Sequence, residues 1–171
     1  MHKAYVLLGG NEGDVPAMFR RAVGLIQDAG ISVMAEGSLY QSAAWGDGVH
    51  GTFYNQLLIL GVSQEPHELL AVLLDIESGL GRKRQSGTIT NRTIDIDILF
   101  IDNLVLSDSG ITIPHPRLHL RRFALIPLCE LVPDLVHPVM GKTMAQLLQD
   151  TPDQLMVKKA KTENQPGVSP I

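Results

Sequence analysis

The sequence predicts an α/β fold of the α+β kind, with a mostly antiparallel sheet and helices packed on it. Three observations carry this. Segments with alternating or continuous apolar residues lie at 4–9, 31–43, 53–62 and 94–100. Two segments, one after Asp14 and one from Pro66 to Ser78, repeat apolar residues every three or four positions instead. Their order, β-α-β-β-α-β followed by C-terminal additions, is the split βαβ arrangement known as ferredoxin-like, with its helices expected on one face.

The elements follow in order. "AYVLL" is a first strand running into "GGNEGD". Asp14 is a helix N-cap, and Pro16 falls in the first turn, where its missing N–H does no harm. Met18, Ala22, Leu25 and Ile26 give that helix its apolar stripe. "ISVMAEGSLYQSA" reads as one partly alternating strand, "WGDGVHG" as a glycine-rich loop, and "FYNQLLILGV" as a strand through residue 62. In the second helix Leu69, Leu73, Ile76 and then Leu80 face a core, and Gly79 and Gly81 end it. "NRTIDIDILF" is the last core strand, and "IDNLVL" is expected to continue it or pair with it. A short helix follows "IPHPR", with Phe123, Leu125, Ile126, Leu128 and Leu131 on its apolar side and Pro127 limiting it. "KTMAQLLQ" is a last small helix.

At 171 residues the chain is long enough to bury a real core, and residues 1–150 read as a single domain. From Thr151 to Ile171 it turns polar and is expected to be a flexible tail. With 44% hydrophobic and 19% charged residues, the composition is globular. The net charge of −4 gives no electrostatic case for nucleic acid, and no apolar run approaches a membrane span. The N-terminus lacks the pattern of a signal peptide, and the single Cys129 excludes an internal disulfide, so a reducing, cytoplasmic setting is expected.

The chemistry concentrates around residue 95. Asp95 and Asp97 alternate with Ile94, Ile96 and Ile98. Residues two apart on a strand point the same way, roughly 6–7 Å apart. Two bare carboxylates at that distance repel by roughly 2–3 kcal/mol at an effective dielectric near 20. Solvent, a shared proton, arginines or a hard divalent cation would offset this. Just upstream stand Arg82, Lys83, Arg84 and Arg92. They read either as surface ion-pair partners of little energetic worth or as a grip on an anion that also coordinates the cation. A polyphosphate with Mg²⁺ satisfies the second reading. "GGNEGD" is neither a P-loop nor G-x-G-x-x-G, and is read as a tight turn. Aromatics make up only 5% of the chain, and Phe53 beside Asn55, Trp45 in the glycine-rich loop and Phe123 after Arg121 and Arg122 read as core or as ligand contacts. An asparagine beside a ring offers a donor and an acceptor to a flat heterocycle.

Together these residues resemble the 6-hydroxymethyl-7,8-dihydropterin pyrophosphokinases of folate biosynthesis. The likeness runs through "AYVLLGGNEGD", "SLYQSAAWG", "FYNQLL", "LLDIESGLGRKR", "NRTIDIDILFID" and "IPHPRLHLRRFALIPLCELVPDLVHP". It implies transfer of diphosphate from ATP to the pterin's hydroxymethyl group, releasing AMP. It implies two Mg²⁺ ions on Asp95 and Asp97, and Arg82, Arg84 and Arg92 as catalytic residues that engage the ATP phosphates. Glu77, Ile98, His115 and Arg121 are implied as further ATP-binding residues. The pterin would be held by Ser42, Ala43, Ala44, Trp45, Phe53, Asn55 and Phe123, with the two phenylalanines sandwiching it. Gly10, Ile89 and Asn91 depart from common family residues, namely serine, tryptophan in some members, and proline. Partners are expected to be these small molecules, with no nucleic acid or membrane, in a monomer or weak homodimer. The rival is a non-catalytic ferredoxin-like small-molecule-binding or sensor domain, since this fold hosts many functions. A two-metal nuclease is disfavoured by the acidic charge.

Overall fold

Every residue of the first strand from Ala4 to Gly10 is buried, because helices cover the sheet on both faces and not on one as expected. A strand covered twice has no polar side, which is why "AYVLL" does not alternate. The computed structural model describes residues 1–43, 51–81 and 94–161.

The elements are β1 (His2–Gly10), α1 (Val15–Asp28), β2 (Ser32–Glu36), β3 (Tyr40–Ala43), β4 (Thr52–Val62), α2 (Pro66–Gly79), β5 (Asp95–Ile101), β6 (Leu106–Asp108), β7 (Ile111–Ile113), α3 (Arg122–Leu131), α4 (Met144–Asp150) and β8 (Val157–Lys159). The main sheet runs β5-β1-β4-β3-β8, with β2 also on β4, and every pairing is antiparallel. This is the ferredoxin-like order, with its second strand divided into β2 and β3.

The division has a local cause. Glu36 opposes Leu58 and Tyr40 opposes Asn55, so this side carries one extra residue. Gly37 sits at the break, its N–H donating to the Leu57 carbonyl at 2.8 Å. A Cβ on Gly37 would lie 3.1 Å from Glu130 Oε1 and 3.4 Å from the Leu57 carbonyl oxygen, so the close approach suits a residue without one.

Two cores result. Val15, Phe19, Ala22 and Ile26 of α1 and Leu69, Leu73 and Ile76 of α2 pack on one face with Val6, Leu8, Leu58, Leu60 and Ile96. Ala124, Leu125 and Leu128 of α3 and Met144 and Leu147 of α4 pack on the other with Leu7, Leu57, Leu99 and Phe100. The buried stripe of α1 is therefore shifted from the expected one: Leu25 is 37% exposed and Val15 and Phe19 are inside. As expected, Asp14 caps α1, accepting the Ala17 N–H at 3.1 Å.

Three further expectations are corrected. Of "IDNLVL" only Ile101 belongs to β5; Leu106–Asp108 forms a separate two-stranded ribbon with Ile111–Ile113. The helix after "IPHPR" runs ten residues through the buried Pro127, which leaves the Phe123 carbonyl without its intrahelical donor. The segment after Thr151, read as a flexible tail, carries β8, which pairs with β3. Polar composition misleads there because an edge strand needs only one covered side; residues 162–171 lie outside the described residues.

Candidate active site

The register of the sheet assembles the site. On the α3 side Asp95 stands opposite Gly9, Gly9 opposite Asn55, and Asn55 opposite Tyr40. In the next row Asp97 faces Leu7 and Leu7 faces Leu57. Side chains opposite each other in a sheet share a face, so both acids open on the face that also holds Asn55. A bulge at Leu99 then interrupts β5, since Val6 pairs with Ile98 but Tyr5 with Phe100. It turns both Leu99 and Phe100 into the α3–α4 core. The Leu99 carbonyl accepts the His115 N–H at 3.0 Å, which pins the "PHPR" loop beside the acidic strand.

Two cavities meet at the acids. The first, about 540 Å³, lies between α2, β5, β7 and the loop after β7, with Glu77, Ile98, Thr112, His115 and Arg121 in its wall. The second, about 510 Å³, lies over the α3 side of the sheet, with Ser42, Ala43, Phe53, Asn55 and Phe123 in its wall. Asp95, Asp97 and Arg121 line both. Both volumes fall in the range of small-molecule sites, about 300–1,000 Å³.

Several wall residues are held in place by contacts within the fold. Glu77 is buried, and its Oε1 accepts the Ile96 N–H at 2.7 Å, between the two acids. Asn55 is buried, and its Nδ2 donates to the Leu8 carbonyl at 3.2 Å, which fixes the amide beside the second cavity. A Cβ on Gly9 would lie 3.0 Å from that Nδ2, so the absence of a side chain there keeps the cavity floor open. Arg121, which precedes α3, carries its guanidinium 5.4 Å from the centre of the Phe123 ring, within cation–π range.

His115 is held neutral. Burial lowers its pKa to about 4, with Arg121 and Arg117 acting in the same sense and Asp95 opposing them. Its Nδ1 accepts the Arg117 N–H at 3.1 Å, which leaves the ring proton on Nε2.

Of the site residues expected from the sequence, Glu77, Ile98 and His115 line the first cavity, Ser42, Ala43, Phe53, Asn55 and Phe123 the second, and Asp95, Asp97 and Arg121 both; other lining residues were not expected. Gly9, Arg117, Leu120 and Leu155 also line the second cavity, and Leu70, Leu74 and Thr112 the first. Arg117 stood within the quoted "PHPR" motif and so had a signal; Leu155 stood in the presumed tail and had none. Arg82, Arg84, Arg92, Ala44 and Trp45 lie outside the described residues, as do Lys83, Ile89 and Asn91.

The donor set suits magnesium. Asp95 and Asp97 offer hard oxygens from one strand face, and among the described residues no third carboxylate, histidine or cysteine completes a closed cage with them. Mg²⁺ is commonly bound through one or two carboxylates plus substrate phosphates and waters.

The ferredoxin-like sheet thus bears two cavities that share Asp95, Asp97 and Arg121 in their walls. The chain matches the family model described as 7,8-dihydro-6-hydroxymethylpterin-pyrophosphokinase (HPPK) over residues 5–133, and it belongs to that family. It is 39% identical over 149 residues to the 2-amino-4-hydroxy-6-hydroxymethyldihydropteridine pyrophosphokinase of Methylorubrum extorquens, covering 86% of this chain and 92% of that protein. To the protein of the same description from Synechocystis sp. it is 41% identical over 149 residues, covering 86% and 75%. Its fold is similar to the crystal structure of Plasmodium falciparum HPPK-DHPS wild type with pteroate, with a TM-score of 0.69 at 13% identity. That match covers 86% of this chain but 44% of the other, so this chain spans less than half of that one, and the likeness concerns the fold.

Proposed function

We propose that the first cavity seats ATP, the second seats the pterin, and Asp95 and Asp97 stand where the two substrates meet. As a member of the family, the chain is an ATP-dependent diphosphokinase that transfers the pyrophosphoryl group of ATP to hydroxymethyldihydropterin in folate biosynthesis. The assignment of seats is carried by one observation: both cavities share Asp95, Asp97 and Arg121. A transfer between two bound molecules requires such a common wall.

The transfer forms a bond between the hydroxymethyl oxygen and the β-phosphorus, breaks the bridge to the α-phosphate and releases the hydroxyl proton, so AMP and a proton leave. Such a reaction asks the protein for position and charge compensation more than for covalent work. Asp95 and Asp97 would hold Mg²⁺, two ions in this reading. When bound, such a metal would supply positive charge to offset the phosphate oxygens and would lower the pKa of the attacking hydroxyl. Arg121 lies where negative charge shifts during transfer, and Arg82, Arg84 and Arg92 are assigned to the same phosphates. Neutral His115 donates from Nε2 on the nucleotide side. Phe53 and Phe123 stack the pterin, and Asn55, with Ser42, Ala43, Ala44 and Trp45, reads its edge. A cytoplasmic monomer or weak homodimer is part of the same proposal, in keeping with the lone Cys129.

The test is AMP formation from ATP with and without hydroxymethyldihydropterin, across a magnesium titration, in the wild type and in Asp97→Ala. Pterin-dependent AMP release that needs Mg²⁺ and falls by about 10²–10³-fold in the variant is expected. Undiminished turnover in a folded Asp97→Ala chain would remove the acids from the centre of the reaction.

A further inference from the structure

The family match ends at residue 133, yet the chain beyond it reaches back into the second cavity. Leu155 is half-buried and lines that cavity together with Phe53, Asn55 and Phe123. Its position is fixed from two sides. On one side stands Arg122, the neighbour of Phe123. The Arg122 backbone N–H donates to Asp153 Oδ2 at 2.9 Å, and its Nε donates to the Leu155 carbonyl at 3.0 Å. Asp153 Oδ1 accepts the Leu155 N–H at 3.0 Å, so Asp153, Leu155 and the start of α3 form one hydrogen-bonded unit.

On the other side β8 lies on β3, with Val157 opposite Ser42. Lys159 Nζ is 3.1 Å from Glu130 Oε2. The same carboxylate accepts the Ser38 N–H at 2.6 Å and the Tyr40 hydroxyl at 2.9 Å, joining α3, β3 and the C-terminal segment. The segment is thereby fastened both to the helix that carries Phe123 and to the strand that carries Ser42 and Ala43.

We infer that Leu155 is a specificity-determining residue for the pterin, held in the wall by the 153–159 segment. This rests on the assignment of the second cavity to the pterin. The Leu155 side chain gives the cavity an apolar boundary, which keeps water from the bound ring and rejects ligands with bulk at that edge. Differences of one methylene in such a pocket change discrimination by about 10–200-fold.

The experiment compares Leu155→Ala, Leu155→Phe, Phe123→Ala and the wild type as full chains, reading kcat, both KM values and Tm. Leu155→Ala is expected to raise the pterin KM by roughly tenfold while leaving the ATP KM and Tm near wild type. Leu155→Phe is expected to raise the pterin KM as well, by crowding the cavity. If Leu155→Ala stays within about twofold of wild type while Phe123→Ala loses pterin binding, the inference is overturned and the cavity assignment stands. If neither substitution moves the pterin KM, the cavity assignment fails and takes the inference with it. Equal rises in both KM values with a lower Tm would assign the segment a purely structural role and also overturn the inference.

Discussion

The backbone N–H of Ile96 donates to Glu77 Oε1 at 2.7 Å, in the interval between Asp95 and Asp97. Among the described residues β5 pairs with β1 alone, so its outer edge needs another acceptor. Helix α2 supplies it through a side chain that is 2% exposed. The contact ties the helix that walls the proposed nucleotide seat to the strand that carries both acids.

Glu77→Ala therefore leaves a buried N–H without its acceptor, a loss of about 1–3 kcal/mol. Glu77→Gln keeps an acceptor oxygen and is expected to lose less. Urea unfolding of both variants checks this, with the alanine midpoint well below the glutamine one. Identical midpoints for Glu77→Ala and wild type would mean that water takes over the bond and that the edge is not sealed.

The pH dependence of stability has a definite sign. An unfolded histidine titrates near 6.5, whereas His115 in the fold titrates near 4 because burial and two arginines disfavour its charged form. Between those values the unfolded chain binds a proton that the folded chain refuses. The stability linked to His115 is thus full above about 6.5 and declines as pH falls toward about 4. His137, also lowered by burial, acts in the same sense. Unfolding free energies measured near pH 7.5 and near pH 5 should differ less in His115→Gln than in wild type. An unchanged difference would assign the decline to His137 and the carboxylates.

Much of this arrangement was legible in the sequence because it depends on local period. Asp95 and Asp97 must share a face whatever the strand packs against, and Asp14 caps its helix from three residues away. What depends on distant partners was not legible. The continuous "AYVLL" run does not say that α3 and α4 will cover a second face. The bulge at Leu99 exists only against β1, so no count within β5 reveals it. Val157 and Lys159 read as tail because their partners, Ser42 and Tyr40, lie more than a hundred positions earlier. Gly9 gave no sign that its missing side chain was the point.

Gly9→Ala tests that last feature directly. The new methyl would stand 3.0 Å from Asn55 Nδ2 and 4.0 Å from Asp95 Cβ. The amide must shift, and its bond to the Leu8 carbonyl with it. Pterin affinity is expected to fall by about 10–100-fold, at a stability cost of about 1–3 kcal/mol. Fluorescence titration with the pterin and chemical denaturation separate the two effects. An alanine variant that binds the pterin normally would show that Asn55 is not the edge-reading group.

Phe123 has two neighbours to serve. Its ring lines the second cavity, and the Arg121 guanidinium stands 5.4 Å from its centre. Stacking of a flat heterocycle on an aromatic side chain is worth about 1–3 kcal/mol, which predicts a loss of about 10–100-fold in pterin affinity for Phe123→Ala. The arginine also loses its platform, so kcat should fall with it, because Arg121 lines both cavities where charge is proposed to move. Phe123→Tyr retains the ring and should retain both functions. Equilibrium binding of the pterin, measured apart from turnover, decides between the two roles. A fall in kcat with unaltered pterin binding would make Phe123 a support for Arg121 and place the stacking surface elsewhere in the cavity.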